Sequence, residues 1–202
     1  MATQALLTPL GIAALALLVE RPMHPYEMYQ LLIQRSEDRV VKVRPGSLYH
    51  SVDRLARAGL IRATGTEREG NRPERTTYEV TEAGQLALGE RISEMLGTPT
   101  NEYPEFPLAI GEAHNLPRAT VIQLLRSRLN LLSADLTFIE EGLHDLKERG
   151  IERRFWLNVE YTKALIEVEI EWLLQLIDDL ETGALRWLDD DNPSNPSNPS
   201  TN

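Results

Sequence analysis

Lys42, Arg44, Ser47, Tyr49, His50 and Arg54 bring three cations, two hydroxyls and an imidazole into one short stretch of the chain. Side chains of these types donate hydrogen bonds to anionic oxygens, and Arg can also grip the edge of a guanine through two parallel bonds. Arg72 and Arg75 repeat the cationic theme around Gly70-Asn71-Arg72-Pro73, a tip rich in turn formers. The chemistry on offer is phosphate neutralisation and base-edge reading. Bond-making arrangements each lack a member. Glu141 and His144 form a single Glu-x-x-His, whereas a carboxylate-bridged di-iron bundle needs a second such motif and further Glu ligands. His24, His50 and His114 are scattered, and there is no Cys, no Gly-x-Ser-x-Gly elbow and no phosphate-binding Gly loop. The expectation is a protein that is not an enzyme and uses no metal and no cofactor.

The donors need a frame, and the local sequence predicts one. Pro45-Gly46 punctuates the chain, so Ser47 is expected to be the N-cap of a helix that Ala58-Gly59 terminates. Leu48, Val52 and Leu55 then form one apolar stripe, with Tyr49, His50, Asp53, Arg54 and Arg57 on the opposite side. Ser47 and Tyr49 sit at the helix start, where free amides also favour phosphate, while His50 and Arg54 lie one turn apart and reach toward base edges. Lys42, Arg44, Arg72 and Arg75 flank them as phosphate partners. Each has a plainer role open to it: Tyr49 can cover the core, Arg54 can pair with Asp53 or Glu20, and Arg57, Arg62 and Arg68 read as solvated surface charge.

A net charge of −10 argues against a nucleic-acid partner only until it is divided along the chain. Residues 1–90 hold eleven Lys/Arg against eleven Asp/Glu, and residues 91–202 hold ten against twenty, so the acidity is all C-terminal. Between Arg39 and Arg75 nine bases face four acids, a local +5. Screening over about 10 Å lets that stripe act by itself. With 202 residues the chain has room for one or two domains, and zero cysteines exclude disulfides and thiolate zinc sites. The longest apolar run, Ile12 to Val19, is far below the roughly 20 residues of a membrane span. The expected compartment is the cytoplasm.

In chain order the first 96 residues read as helix, helix, helix and hairpin. Thr8-Pro9 opens a central core helix, and His24-Pro25 opens a second one with Tyr26, Tyr29, Leu32 and Ile33 expected on one face. Ser36 to Arg39 reads as a loop. Leu60 to Arg68 and Thr76 to Val80 make the strands of a wing, and Thr81-Glu82-Ala83-Gly84 starts a helix to about Leu96. The run LGIAALALLVERPMHPYEM (Leu10 to Met28), RPGSLYHSVDRLARAGLI (Arg44 to Ile61) and GNRPERTTYEVTEAG (Gly70 to Gly84) resembles the PadR family of transcriptional regulators. Pro25 stands where many members have Gly, and His50 where Pro or another small residue is common. The resemblance implies a winged helix-turn-helix whose recognition helix enters the major groove. It further implies a homodimeric regulator, usually a repressor, that binds double-stranded DNA with an inverted-repeat operator and answers to a small effector.

Residues 97–117 read as a linker with a short helix, Phe106 to Glu112. From Arg118 to Glu148 the positions Leu125, Leu129, Leu132, Leu136, Ile139, Leu143 and Leu146 step by four and three, a heptad seam. Arg149-Gly150 turns the chain into a last helix, about Glu152 to Leu180, with two apolar rows: Tyr161, Leu165, Val168, Trp172, Leu176 and Ile166, Ile170, Leu173, Ile177, Leu180. One antiparallel neighbour covers one row, so the other predicts a second copy of the chain. Leu125, Leu129, Leu132, Leu136, Ile139, Leu165, Val168, Trp172 and Leu176 are accordingly the expected dimerisation residues. The whole is a mainly α chain: a winged helix-turn-helix over 1–96, and a helical dimerisation and effector domain over 118–187. A tail over 188–202 of Asn-Pro-Ser repeats completes it and is expected to be disordered. Trp156, Trp172 and Trp187 are candidates to stack on a small apolar or aromatic effector. The competing expectation is a winged helix used only for protein-protein contact.

Overall fold

The computed structural model describes residues 7–67 and 75–188, the side chains of 66, 67 and 75 excepted. Arg72, the side chain of Arg75 and the 189–202 repeat tail lie outside the described residues. The chain divides into two compact units whose boundary falls between Glu102 and Tyr103.

In the first unit α1 (Pro9–Glu20) begins with Pro9 at its first position, and the Thr8 hydroxyl accepts the Gly11 amide at 3.2 Å. Pro is suited there because its missing N–H has no helical partner to lose. Leu10, Ala14, Leu15, Leu17 and Leu18 are all buried, which makes α1 the centre of the core. In α2 (Pro25–Gln34) His24 is the cap, its Nδ1 accepting the Tyr26 amide at 3.1 Å. The inward row is Pro25, Met28 and Leu32, whereas Tyr26 and Ile33, expected on the buried face, point outward. Met28 and Leu32 stand one full turn apart and define the packed stripe; Tyr26 and Ile33, seven residues apart, share a face about 100° or more away from it. A 3-10 turn, Glu37–Arg39, occupies the expected loop.

Then come α3 (Pro45–Arg57), β1 (Ile61–Glu67), β2 (Arg75–Val80) and α4 (Glu82–Gly97). β1 and β2 pair antiparallel from Ile61 opposite Val80 to Glu67 opposite Arg75, with an irregularity between Ala63 and Gly65. The hairpin is tied to the body through Met23, which exchanges two backbone hydrogen bonds with Tyr78 at 3.0 and 3.1 Å. Thr81 caps α4 by accepting the Gly84 amide and donates its hydroxyl to the Gly59 carbonyl at 2.8 Å. Gly84 lies so close to the end of α3 that a Cβ there would sit 2.0 Å from the Leu60 carbonyl oxygen. Tyr78, Thr81 and Gly84 are thus three evenly spaced fastenings: the first ties the wing to Met23, and the other two hold the start of α4 against the end of α3.

The second unit holds α5 (Glu105–Gly111), α6 (Arg118–Glu148) and α7 (Leu157–Thr182). Gly150, at φ +68°, ends α6, with Ile151 N–H bonded to Leu146 C=O and Gly150 N–H to Lys147 C=O. That is the left-handed glycine stop of a Schellman motif. α6 and α7 run antiparallel, as the ion pairs Arg126 to Glu181 and Lys163 to Glu140 require. Two buried clusters hold them together: Val121, Leu125, Leu173, Ile177 and Leu180 near one end, and Ile139, Leu143 and Trp156 near the turn. Phe106, Ile110 and Ala113 pack against the first cluster, so the stretch read as a linker contributes to this unit's core. No helix among the described residues is long and apolar enough to cross a membrane.

Candidate nucleic-acid interface

α3 is held by one face. Leu48, Ser51, Val52 and Leu55 are buried, and burying each of the three apolar chains contributes about 1.5 to 3 kcal/mol. Its end is a second Schellman stop: Gly59 at φ +71°, Leu60 N–H to Leu55 C=O at 3.0 Å and Gly59 N–H to Ala56 C=O at 3.0 Å. Its start differs from the expectation. The helix begins at Pro45 with Arg44 as N-cap, so Ser47 is in the first turn and caps nothing. Pro45 satisfies the first position for the reason given for Pro9, and this moves the start upstream of the first hydroxyl. The Leu48 amide bonds the Arg44 carbonyl, which leaves the Gly46 and Ser47 amides without a helical partner.

At 100° per residue the direction opposite the core is occupied by Gly46, His50, Asp53 and Arg57. All four are exposed, as are Lys42, Arg44, Ser47 and Tyr49 around them. Asp53 and Arg57 therefore belong to the outward row as much as His50 does; Asp53 is an acceptor that sequence reasoning about cations passed over. The ring of Tyr49 meets that of His24 edge-on, with centroids 6.3 Å apart, and this fixes its direction while leaving the hydroxyl end wet. Arg54 does not join the row. It is only half-exposed, and its Nη2 donates to the Thr8 hydroxyl at 3.1 Å, turned back toward α1. On the wing, Arg62 pairs across the strands with Glu79 at 2.5 Å, in keeping with a solubilising role.

Ion pairs brace the helix beneath. Glu20 receives two hydrogen bonds from Arg35, at 2.5 and 2.8 Å, and Arg21 pairs with Glu27. Hydrogen bonding to Arg35 holds the Glu20 carboxyl below its ordinary range, and Arg21 does the same for Glu27. Burial pushes Glu37 the other way. Among the described residues no group of His and acids is arranged to hold a metal ion.

In the second unit the heptad seam points inward. Leu125, Ile139 and Leu143 are buried, and Leu129, Leu132, Leu136 and Leu146 are half-buried, in the packing of α6 on α7. Of the residues expected at a dimer seam, Leu125 and Ile139 are covered within the chain, whereas Leu129, Leu132 and Leu136 are only half-covered by it. On α7 the two rows behave differently: Leu173 and Leu180 are 0% exposed, while Tyr161 is 67% and Val168 66% exposed, with Leu165 and Trp172 beside them and Leu176 half-buried. α6 carries a matching outer row at intervals of seven, Leu124, Leu131 and Phe138, all exposed. Both outer rows lie about 120° from the packed face in the same rotational sense, so in an antiparallel pair they share one side of the hairpin. The ion pairs Lys163 to Glu140 and Arg126 to Glu181 occupy the other side.

Two of the three tryptophans are tied to backbone carbonyls: Trp156, buried, donates to Ile151 at 3.0 Å, and Trp187 to Leu116 at 2.8 Å. Trp172 is exposed, meets Phe106 edge-on at 6.4 Å, and lines an open depression of about 610 Å³ with Val168, Glu171 and Gln175. Arg128 lies over the Phe106 ring at 3.6 Å and bonds Glu169 at 2.6 Å.

Comparison with known proteins gives one family match and several similar structures. Residues 14–90 match the transcriptional regulator PadR-like family. The structure is similar to Bacillus subtilis PadR in complex with operator DNA, with a TM-score of 0.73 at 17% identity over 86% of this chain and 98% of that one. It is also similar to Bacillus subtilis PadR in complex with p-coumaric acid, with a TM-score of 0.71 at 17% identity over 85% and 98% of the two chains. A PadR-like transcriptional regulator from Bacillus cereus gives a TM-score of 0.63 at 16% identity over 86% and 99%. No curated protein sequence matches the chain. At these identities the likeness is one of fold, and it extends over both units. Residues 14–90 therefore form a region similar to the PadR-like family of transcriptional regulators, and the fold is similar to that of the PadR structures.

Proposed function

We propose that the chain is a sequence-specific DNA-binding regulator that works as a cytoplasmic homodimer, a repressor released by a small aromatic effector. The observation that carries this is α3, locked in the core along one face and open along the other, with Lys42, Arg44, Ser47, Tyr49, His50 and Arg57 exposed around the open side. A helix fixed in this way fills a major groove without reorganising. His50 and Asp53 face base edges, Tyr49, Ser47 and the free first-turn amides meet phosphate, and Lys42 and Arg44, with Arg72 and Arg75 of the wing, neutralise the backbone. That a relative of this fold has been solved with operator DNA supports the assignment.

The partner of the apolar side of the hairpin is a second copy. Leu124 and Leu131 from α6 and Tyr161, Leu165, Val168 and Trp172 from α7 form one continuous side, and a two-fold axis through it lets each copy cover the other with the same residues. Pairing also supplies what one α3 lacks, since an inverted repeat is read by two helices about 34 Å apart. For the effector, the solved complex with p-coumaric acid makes an aromatic acid the first class to try, and Trp172, with its exposed ring, is the residue for it to stack on. Such a ligand lifts repression only by binding better to a dimer whose helices misfit the operator.

Titration of binding with salt tests the reading. Affinity for duplex should fall linearly in log-log form, with a slope near −0.9 for each phosphate neutralised. A protein-protein module would show no duplex binding at any salt, and that outcome would overturn the proposal.

A further inference from the structure

Arg54 is the one cation of α3 whose head group turns inward, and this assigns it a task other than touching DNA. An Arg meant for solvent or a base edge keeps its guanidinium in water and lays only its stem on the protein. Arg54 does the reverse: Nη2 reaches the Thr8 hydroxyl at 3.1 Å, and Nε is buried with no hydrogen-bond partner among the described residues. Thr8 Oγ1 is the oxygen that accepts the Gly11 amide, so both its lone pairs are engaged, one capping α1 and one holding α3. The helix dipole does not explain the arrangement, because a cation is disfavoured at a helix N-terminus. What remains is a tether across 46 positions of sequence between the start of α1 and the last turns of the recognition helix.

We propose that Arg54 is a positioning residue. By holding α3 to the Thr8 cap it sets the angle at which His50, Asp53 and Arg57 are presented, and so acts on every sequence alike. The proposal rests on the DNA-binding reading above for its consequence, though not for the tether itself. On the full-length chain, Arg54→Ala should weaken all duplexes by one common factor of about threefold to tenfold, with the profile of base preferences unchanged. Arg54→Lys should restore most of that loss, since an ammonium can donate to Thr8 Oγ1 but cannot make the fork that reads guanine. A loss confined to one base position, and not restored by Lys, would mean that Arg54 reads a base. The tether has its own readout: in denaturant unfolding, Thr8→Val and Arg54→Ala together should cost less than the sum of the two alone. Strict additivity would remove the tether whatever the DNA experiments give, and absence of duplex binding by the unaltered protein would remove the regulator reading while leaving this cycle to stand or fall on its own.

Discussion

His50 and Lys42 occupy the same exposed surface but ask different things of DNA. An imidazole in the outward row of α3 is placed against base edges, while a lysine before the helix meets the uniform phosphate chain. His50→Ala should therefore cost about 1 to 3 kcal/mol at a single base position, whereas Lys42→Ala should weaken all duplexes and lower the salt slope by about one; competition binding against singly substituted operators separates the two. Gly84 supports a prediction that needs no DNA. Its replacement by Ala drives a methyl to within 2.0 Å of a backbone oxygen, which cannot swing aside as a side chain would. We expect Gly84→Ala to lose about 3 kcal/mol or more in urea unfolding, the upper part of the range for an overfilled site. At this scale the sequence is a partial guide. Thr8, Thr81 and Gly59 announce their backbone roles because a cap or a left-handed stop needs only nearby atoms. Ser47 misleads because Pro45 and Ser47 both suit a helix start and the nearer signal prevails. The direction taken by Arg54 depends on a hydroxyl 46 positions away, so no local rule can supply it.

Elements show the same division. The expected span of α6, from Arg118 to Glu148, is the observed one, because Pro117 and the glycine stop at Gly150 bracket a long periodic run. Periodicity says that the Leu125 to Leu146 stripe is buried and is silent on what buries it. The answer is α7, within the same chain, and the outer row at Leu124, Leu131 and Phe138 is one position away on the same helix. Tyr161, Leu165, Val168 and Trp172 were legible as a row that one neighbour leaves open, since α7 is apolar over too wide an arc for a single partner. This gives the dimer account a clean test. Val168 is 66% exposed, so Val168→Asp leaves the packing of the hairpin intact. In a self-interface the same carboxylate loses its water without gaining a partner, at a cost of about 3 kcal/mol or more. Sedimentation velocity at micromolar protein should show a helical monomer for the variant and a dimer for the unaltered chain; an unchanged dimer would send the self-interface elsewhere.

For the molecule as a whole, the division of charge now matches the division of structure. The basic stretch from Arg39 to Arg75 lies in the first unit, and most of the acidic residues lie in the second. A few cations on a net acidic chain bind duplex weakly when alone, and two-fold pairing multiplies them while imposing a spacing. Selection of bound duplexes from a random pool reads groove recognition and pairing in one measurement. The account predicts enrichment of an inverted repeat whose half-sites lie about one helical turn, or a whole multiple of it, apart. A recovered motif without two-fold symmetry, or no enrichment at all, would contradict it.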